Sequence, residues 1–206
     1  MTFIFAHGLG QTPSSWDGVL SELPAGIPAY LPRLFGEGRE SYGGLYAGFS
    51  ADCARCGEPL QLCGVSLGAV LALNYALDNP RRVKSLVLIA PQYRTPRLLL
   101  GVQSAVFRLM PASAFSSTGL SKREMTALTA SMGDLDFTPR LHELACPVHI
   151  VCGGRDKANL RAARRLSGLV PGARLSLIEG AGHEVNMDAP ELLADILREA
   201  WRAELG

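Results

Sequence analysis

One short stretch, Gly64-Val65-Ser66-Leu67-Gly68, constrains this chain more than any other. The apolar run Leu60–Val65 before the serine is typical of a β-strand, and the run Leu67–Leu77 after it favours a helix. Ser66 is therefore predicted at a strand-to-helix corner, where the backbone is strained and bulky neighbours would collide with the adjoining strand and helix. Glycine on both sides relieves that crowding. The helix N-terminus behind the corner offers free N–H groups to a developing negative charge, so we interpret Ser66 as a nucleophile.

Composition is that of an ordinary globular domain. With 206 residues, 48% of them hydrophobic and 19% charged, the chain can bury one large core, so residues 1–206 are predicted to form a single domain. The 20 basic and 19 acidic residues nearly cancel, which argues against nucleic acid or an anionic membrane surface as a partner. No apolar run approaches the ~18 residues of a membrane span, and a β-rich segment follows Met1 instead of a charged leader. We therefore expect a cytoplasmic protein without a membrane span.

The cysteines agree with a reducing compartment. There are five, and an odd number suits free thiols better than a disulfide framework in a chain of this length. The Cys53-x-x-Cys56 pair lacks a second pair of ligands and a thioredoxin-like setting, so we interpret it as structural. Neither a metal site nor a cofactor is predicted.

Strand and helix patterns alternate along most of the chain. Besides Thr2–Ala6 and Leu60–Val65, strands are predicted at Pro28–Leu31, Val83–Ala90, Pro147–Cys152 and Arg174–Ile178. The run Val83–Ala90 is apolar without alternation, as expected for a parallel strand covered on both faces. The pattern predicts a parallel α/β sheet that binds ligands beyond the carboxyl ends of its strands.

Helices are predicted between these strands. One covers Pro13–Leu23 and begins at Ser14 or Ser15, and another, interrupted by three glycines, covers Ser41–Cys56. The closing helix begins near Asp188. Its inward side is predicted to carry Leu192, Leu193, Ile196, Leu197 and Trp201.

Residues 94–139 interrupt the alternation and divide the core into residues 1–93 and 140–206. Helical spacing from Leu98 to Met110 predicts one helix, and the capping box Ser121-x-x-Glu124 predicts the start of a second. An insertion at the carboxyl edge of the sheet is placed to cover Ser66, so we predict a small helical lid with an apolar pocket. Helices that cap the core or form a dimer face are the alternative. The candidate pocket residues are Trp16, Tyr93, Phe107 and Met110, with Phe115, Met125, Met132 and Phe137 as further candidates.

The first strand, Thr2–Ala6, breaks into a glycine loop, His7-Gly8-Leu9-Gly10. The backbone N–H of Leu9 in this loop, together with the backbone N–H of Leu67, is predicted to donate to a substrate oxyanion. An ordinary glycine turn is the alternative interpretation of the loop.

Two further polar residues follow strand ends. Asp156 comes directly after Pro147–Cys152 in Gly153-Gly154-Arg155-Asp156, and His183 comes after Arg174–Ile178 in Gly180-Ala181-Gly182-His183. An acid after a strand end is well placed to orient a catalytic histidine. The other histidines and two other acids suit these roles less, because they lie in the first loop, in the insertion or its exit, or along a buried strand: His7, His142, His149, Asp134 and Asp136.

The order Ser66, Asp156, His183 is the chain order of the α/β-hydrolase triad. With the His-Gly loop and the two glycine loops quoted above, the sequence resembles α/β-hydrolase fold proteins over nearly its whole length. The resemblance implies Ser66 as nucleophile, His183 as general base and then acid, and Asp156 as the group that fixes the imidazole tautomer. Family members usually carry two more strands before the His-Gly loop. In this sequence the strand before that loop follows directly after Met1. We therefore expect a mostly parallel sheet of about six strands, instead of eight, flanked by helices.

The resemblance also implies a reaction. We expect a serine hydrolase that cleaves carboxylic esters with small to medium, apolar acyl groups through an acyl-enzyme intermediate, with a small-molecule acyl substrate as its partner. One alternative is a lyase of the menaquinone-pathway type, which uses the same triad but places an arginine in the first turn of the nucleophile helix. This chain has Ala69, Val70 and Leu71 there, which counts against a lyase. Arg94, Arg97 and Arg108 in the insertion, however, are candidates to bind a carboxylate instead. The other alternative is a ligand-binding relative with negligible turnover.

Overall fold

A central sheet of six strands organises the structure, a computed structural model that describes residues 1–36, 38–95 and 121–205. All pairs in the sheet are parallel, in the order β2-β1-β3-β4-β5-β6. The strands are β1 (Thr2–Ala6), β2 (Ala29–Tyr30), β3 (Leu60–Val65), β4 (Val83–Ile89), β5 (Val148–Gly153) and β6 (Arg174–Ile178). The expected six-stranded α/β-hydrolase sheet is confirmed. Because every strand runs the same way, the loops after β1, β3, β4, β5 and β6 all emerge at one edge.

Helices connect the strands and cover both faces of the sheet. Two 3-10 helices, Pro13–Trp16 and Thr138–Glu143, accompany the α-helices of the described residues. The α-helices are α1 (Asp17–Glu22), α2 (Tyr42–Arg55), α3 (Leu67–Asp78), α4 (Lys122–Ser131), α5 (Lys157–Leu169), α6 (Val185–Asp188), α7 (Pro190–Ala200) and α8 (Arg202–Leu205).

Each face of the sheet has its own hydrophobic core, because alternate residues of a strand point to opposite faces. Ile4 and Leu62 belong to the core that includes α2, α3 and α5, whereas Phe3 and Phe5 belong to the core beneath α1 and α7. In the second core the Phe3 and Trp201 rings lie 4.9 Å apart between centroids. Burial on both faces explains why β3 and β4 are mostly apolar; β3 contains one polar side chain, Gln61, and β4 contains Ser85 and the exposed Lys84 near its start.

Two details of the predicted helices are wrong. The first helical segment begins after Thr12, not at Ser14 or Ser15, because Pro13 lacks an N–H and suits a first-turn position, and the Thr12 N–H donates to Ser15 Oγ at 3.2 Å. In the closing helix, Leu192 lies 52% exposed. The buried stripe follows Leu193, Leu197 and Trp201 at intervals of four, which turns Leu192 toward solvent.

The insertion leaves and rejoins the domain through a short two-stranded contact. Thr95 N–H donates to Leu135 O at 2.8 Å and Phe137 N–H donates to Tyr93 O at 2.9 Å, so the chain departs and returns side by side near both predicted boundaries. The predicted capping box is present at the start of α4, which buries Met125 in the core that includes α3. The predicted helix from Leu98 to Met110 lies outside the described residues, and the lid stays a prediction.

Two observations bear on the wider expectations. All five cysteines are free thiols, and Cys56 Sγ donates to Asp52 O at 3.3 Å. None of the helices in the described ranges is both long enough and apolar enough to cross a membrane.

Buried histidines make the stability of the fold sensitive to mild acid. Burial first, and Arg174 second, lower the pKa of His149 from its ordinary value of 6.5, with Glu199 opposing them, and burial also lowers the pKa of His7. The unfolded chain therefore binds more protons than the folded one as pH falls below about 6.5. We expect the free energy of unfolding to decrease from pH 7 to pH 5, with a slope approaching about 1.4 kcal/mol per pH unit for each such histidine.

Urea denaturation across that pH range measures the slope. The variant His149→Gln should flatten it, whereas His142→Gln, at an exposed position, should leave it unchanged. Equal slopes in the wild type and in His149→Gln would contradict the assignment to His149.

Candidate active site

Ser66 lies at the corner between β3 and α3 in a strained conformation. Its φ of +52° and ψ of −113° place a residue with a side chain in the region that favours glycine. A Cβ on Gly64 would lie 2.4 Å from Gly68 O, and one on Gly68 would lie 2.2 Å from Ala6 O. Both flanking positions are therefore closed to any larger residue, because the main chain itself occupies the space.

The corner is fixed on both sides. Ser66 N–H donates to Ile89 O of β4 at 2.9 Å, and Val70 N–H donates to Ser66 O at 3.1 Å, which closes the first turn of α3. Leu67 is the first residue of that helix, so its N–H has no acceptor within the helix. This N–H and the positive end of the helix dipole lie directly beside the serine.

The loop after β1 is a tight turn held by Gln11. Gly8 N–H donates to Gln11 Oε1 at 2.9 Å, and Gln11 N–H donates back to Gly8 O at 3.2 Å. These bonds do not use the N–H of Leu9. A Cβ on Gly8 would lie 3.5 Å from Val65 O, so this loop lies against the strand end that carries Ser66.

His7 has a structural place in this loop. Its Nδ1 lies 2.9 Å from Gly8 O, which can only accept, so Nδ1 carries the proton, and Leu34 N–H donates to Nε2 at 3.4 Å. Both ring nitrogens are thus used by the main chain. Together with the lowered pKa this holds His7 neutral.

Asp156 and His183 form a hydrogen-bonded pair. His183 Nδ1 lies 2.7 Å from Asp156 Oδ2, with the carboxylate buried and the imidazole 43% exposed. A carboxylate accepts, so Nδ1 is the donor and Nε2 is left with its lone pair facing outward. The pair therefore has the tautomer that a general base needs.

Close backbone contact joins the loops that carry this pair. A Cβ on Gly153 would lie 2.0 Å from Gly182 O. Arg155 N–H donates to Ala181 O at 2.9 Å, and Gly154 N–H donates to Ile178 O at 2.8 Å. The loops after β5 and β6 thus form one unit, which fixes the separation of the carboxylate and the imidazole.

A buried amide links the His183 loop to the loop after β1. Gln11 Nε2 donates to Asn186 Oδ1 at 3.2 Å and to Glu184 Oε1 at 3.3 Å, and Asn186 Nδ2 donates to Ser15 O at 3.0 Å. Gln11 and Asn186 are both nearly inaccessible. Sequence reasoning missed both residues, because an isolated amide side chain in a loop carries no motif.

A second pair of amides, also missed, lies beside the acid. Asn159 Nδ2 donates to Asp156 Oδ1 at 2.9 Å and to Oδ2 at 2.8 Å, and Asn159 Oδ1 accepts from Gln92 Nε2. One feature of the sequence indicates that Asn159 lies near the acid: it is in the first turn of the helix α5, and Asp156 is the N-cap residue of that helix. No pattern in the sequence singles out Gln92.

The three predicted catalytic residues thus occupy the carboxyl ends of β3, β5 and β6, at one edge of the sheet. Asp156 and His183 are in direct contact. Within the described part of the chain, no hydrogen bond within 3.5 Å joins Ser66 Oγ to the His183 ring. Such bonds are often long without substrate and shorten in the reacting complex.

Comparison with known proteins identifies the family of this chain. A family model with the description Alpha/beta hydrolase family matches residues 3–196. The chain belongs to this family. The match includes residues of all six strands and all three predicted catalytic positions.

Individual relatives agree with the assignment. The chain is 26% identical to the pimeloyl-[acyl-carrier protein] methyl ester esterase of Aromatoleum aromaticum, over 97% of each protein. It is similar in structure to a thermophilic esterase from Thermogutta terrifontis, with a TM-score of 0.81, 19% identity, and coverage of 100% of this chain and 91% of that one. NosK from Streptomyces actuosus gives a TM-score of 0.82 at 23% identity, covering 98% and 97% of the two chains. The two structural likenesses show the fold.

The predicted pocket residues are distributed between core and insertion. Trp16 is fully buried, with its ring centroid 5.3 Å from that of Phe5. Tyr93 is 3% exposed and joins the other core at the stem of the insertion. Phe107 and Met110 lie outside the described residues. The pocket roles of these four residues stay predictions.

No cluster of three or more His, Cys, Asp or Glu that could hold a metal ion occurs within residues 1–36, 38–95 and 121–205.

The close approach at Gly153 can be tested directly. Because an added Cβ would overlap Gly182 O, Gly153→Ala should separate the loops of Asp156 and His183 and destabilise the fold by about 1–3 kcal/mol or more. The matched control is Gly168→Ala in α5, where no atom lies within 4 Å of an added Cβ and alanine should stabilise the helix by roughly 0.5–1 kcal/mol. Thermal unfolding of both variants measures the difference, and a neutral Gly153→Ala would contradict the contact.

Proposed function

We propose that this protein is a serine hydrolase that cleaves carboxylic esters through an acyl-enzyme intermediate. The observation that carries the proposal is the hydrogen-bonded Asp156–His183 pair at the same sheet edge as Ser66, whose backbone is held in a strained conformation. The family match and the esterase relative at 26% identity support a hydrolase that acts on esters.

The proposed reaction begins with proton transfer. His183 Nε2 accepts the hydroxyl proton as Ser66 Oγ attacks the acyl carbonyl. The Asp156 carboxylate stabilises the imidazolium that forms, and it holds Nδ1–H so that Nε2 is the basic nitrogen. The imidazolium then donates its proton to the leaving alcohol.

Backbone N–H groups stabilise the charge on the carbonyl oxygen. Leu67 contributes an N–H that its helix does not use, at the positive end of the α3 dipole. Leu9 contributes the second from the turn that Gln11 holds against β3. Water then attacks the acyl-enzyme with His183 again as base, and Ser66 is regenerated.

The proposed substrates carry small to medium, apolar acyl groups. Support comes from the apolar side chains of Tyr93 and α4, which lie at the stem of the insertion, where it joins the rest of the domain. The relative in Aromatoleum aromaticum is named for a methyl ester of a pimeloyl group on an acyl-carrier protein, so the name supports a small leaving group.

The lyase alternative uses the same triad for proton abstraction. Lyases of this type place an arginine in the first turn of the nucleophile helix. Ala69, Val70 and Leu71 occupy that turn and are buried in the core. A buried apolar turn offers no counter-charge, which favours ester hydrolysis.

Removing the nucleophile tests the mechanism. Ser66→Ala should lower kcat on a simple ester by at least roughly a thousandfold and abolish covalent labelling by a fluorophosphonate, because both need the hydroxyl. The matched control is Ser167→Ala in α5, where the hydroxyl only donates to Arg164 O and activity should persist. Undiminished hydrolysis by Ser66→Ala would remove this serine from the mechanism.

A panel of p-nitrophenyl esters tests the substrate class. We expect kcat/KM to rise from acetate to medium-length aliphatic acids and to fall for acids of equal size that carry a second carboxylate, because an apolar pocket does not compensate the desolvation of a charge. Preference for the anionic esters would refute the apolar class. Labelling without turnover of any ester would instead favour the lyase or the ligand-binding relative.

A further inference from the structure

We propose that Asn159, held in place by Gln92, is a positioning residue for the Asp156–His183 pair. The inference rests on the proposed function, because it assigns a role within the same site. Neither amide was expected from the sequence, and among the described residues neither has a side-chain hydrogen bond to Ser66 or to the proposed oxyanion donors.

Asn159 binds both oxygens of the catalytic carboxylate. Its Nδ2 lies 2.9 Å from Asp156 Oδ1 and 2.8 Å from Oδ2, and its backbone N–H donates to Oδ1 at 3.1 Å. A carboxylate held from this side cannot rotate freely about its own axis. Oδ2 therefore stays directed at His183 Nδ1, and the imidazole keeps the orientation that leaves Nε2 outward.

The orientation of the Asn159 amide is itself determined. Its Nδ2 also lies 3.0 Å from His183 Nδ1, so two donors converge on Asp156 Oδ2. If the amide were rotated by 180°, its Oδ1 would face the carboxylate and repel it. Gln92 opposes that rotation, because its Nε2 donates to Asn159 Oδ1 and would face another NH2 group in the rotated state.

Gln92 reaches this position because the chain turns sharply after β4. Ala90 has a φ of +48°, one of two positive φ values among the described residues other than glycine, and the second belongs to Ser66. Ala90 N–H donates to Val151 O at 2.8 Å, which fixes the turn against β5. Strain of this kind persists only where the surroundings impose it. The turn brings an amide from the β4 loop to the acid in the β5 loop.

A positional role predicts an order of activities that a space-filling role does not. If donation to the carboxylate matters, kcat should decrease in the order Asn159, Asn159→Ser, Asn159→Ala, Asn159→Asp. Serine keeps a hydroxyl donor, alanine has none, and aspartate has the same shape but repels Asp156. If Asn159 only fills space, the aspartate variant should be the most active of the three.

The sizes of these effects are also specified. Asn159→Ala should lower kcat by roughly ten- to a hundredfold with KM changed by less than about threefold, because the pair acts on the reaction rather than on substrate binding. Asn159→Asp should move the acid limb of the pH–rate profile to higher pH, since an added carboxylate stabilises the imidazolium.

Gln92 provides an independent test of the amide orientation. Gln92→Leu removes the donor, and we expect a roughly three- to tenfold loss of kcat. Gln92→Glu should be more harmful, because a carboxylate attracts Asn159 Nδ2 and turns Oδ1 toward Asp156. Equal activity of Gln92→Leu, Gln92→Glu and wild type would overturn this part of the inference.

The matched control is Asn79→Ala. This asparagine donates to Tyr75 O at the far end of α3, so its loss should lower stability without changing kcat or the pH profile. Wild-type kcat and pH profile in all three Asn159 variants would overturn the inference while leaving the proposed function intact.

Titration of the His183 ring followed by NMR gives a readout that needs no turnover, with His183→Gln to assign the signal. In Asn159→Asp the midpoint of that titration should move to higher pH. An unmoved midpoint would overturn the proposed geometry even if the wild type hydrolyses no ester. If the midpoint moves in Asn159→Asp but the wild type hydrolyses no ester, only the proposed function is refuted.

Discussion

Close contact between main-chain segments at the carboxyl edge of the sheet is the constraint on which the site depends. Gly68 approaches Ala6, Gly64 approaches Gly68, and Gly153 approaches Gly182, each within a distance that a single methyl group would occupy. These contacts bring loops from four strands into one small region. Every proposed catalytic group is carried on one of those loops or adjoins it. The geometry of the site therefore depends on glycine at these positions, because only a residue without a side chain allows the main-chain segments to come so close.

Side-chain amides, three of them buried, then fix the loops to one another. Gln11 and Asn186 join the loop after β1 to the loop after β6, and Asn159 with Gln92 joins the loops after β4 and β5. Hydrogen bonds of buried polar groups are directional and costly to leave unmade, at about 1–3 kcal/mol for each unpaired group. A network of this kind therefore specifies one arrangement of the loops, whereas apolar packing would tolerate several.

Strain is concentrated at the same edge. Ser66 and Ala90 have positive φ at the ends of the neighbouring strands β3 and β4. The rest of the structure holds them there: Ser66 N–H donates to Ile89 O, and Ala90 N–H donates to Val151 O. The two cores supply the stability that offsets this strain. The sheet thus fixes the positions of side chains that lie on the loops.

Much of this architecture could be predicted because its signals are local. The apolar runs of β3 and β4 indicated buried parallel strands, and the glycines around Ser66 indicated a crowded corner, since each rule involves residues close in sequence. Local patterns misjudged the start of the helix at Pro13 and the side of the closing helix that Leu192 faces. Both depend on the position of one residue within a turn.

The sequence by itself determined the chain order of the proposed catalytic residues: a serine at the end of one strand, then an acid and a histidine in the loops that follow two later strands. Only the tertiary structure decided which partners surround them. Gln11 is 175 residues from Asn186 and Gln92 is 67 residues from Asn159, and an amide has no preferred neighbour in a sequence pattern. Their roles arise when parallel strands bring distant loops to one edge, because a hydrogen bond depends on distance and direction in space.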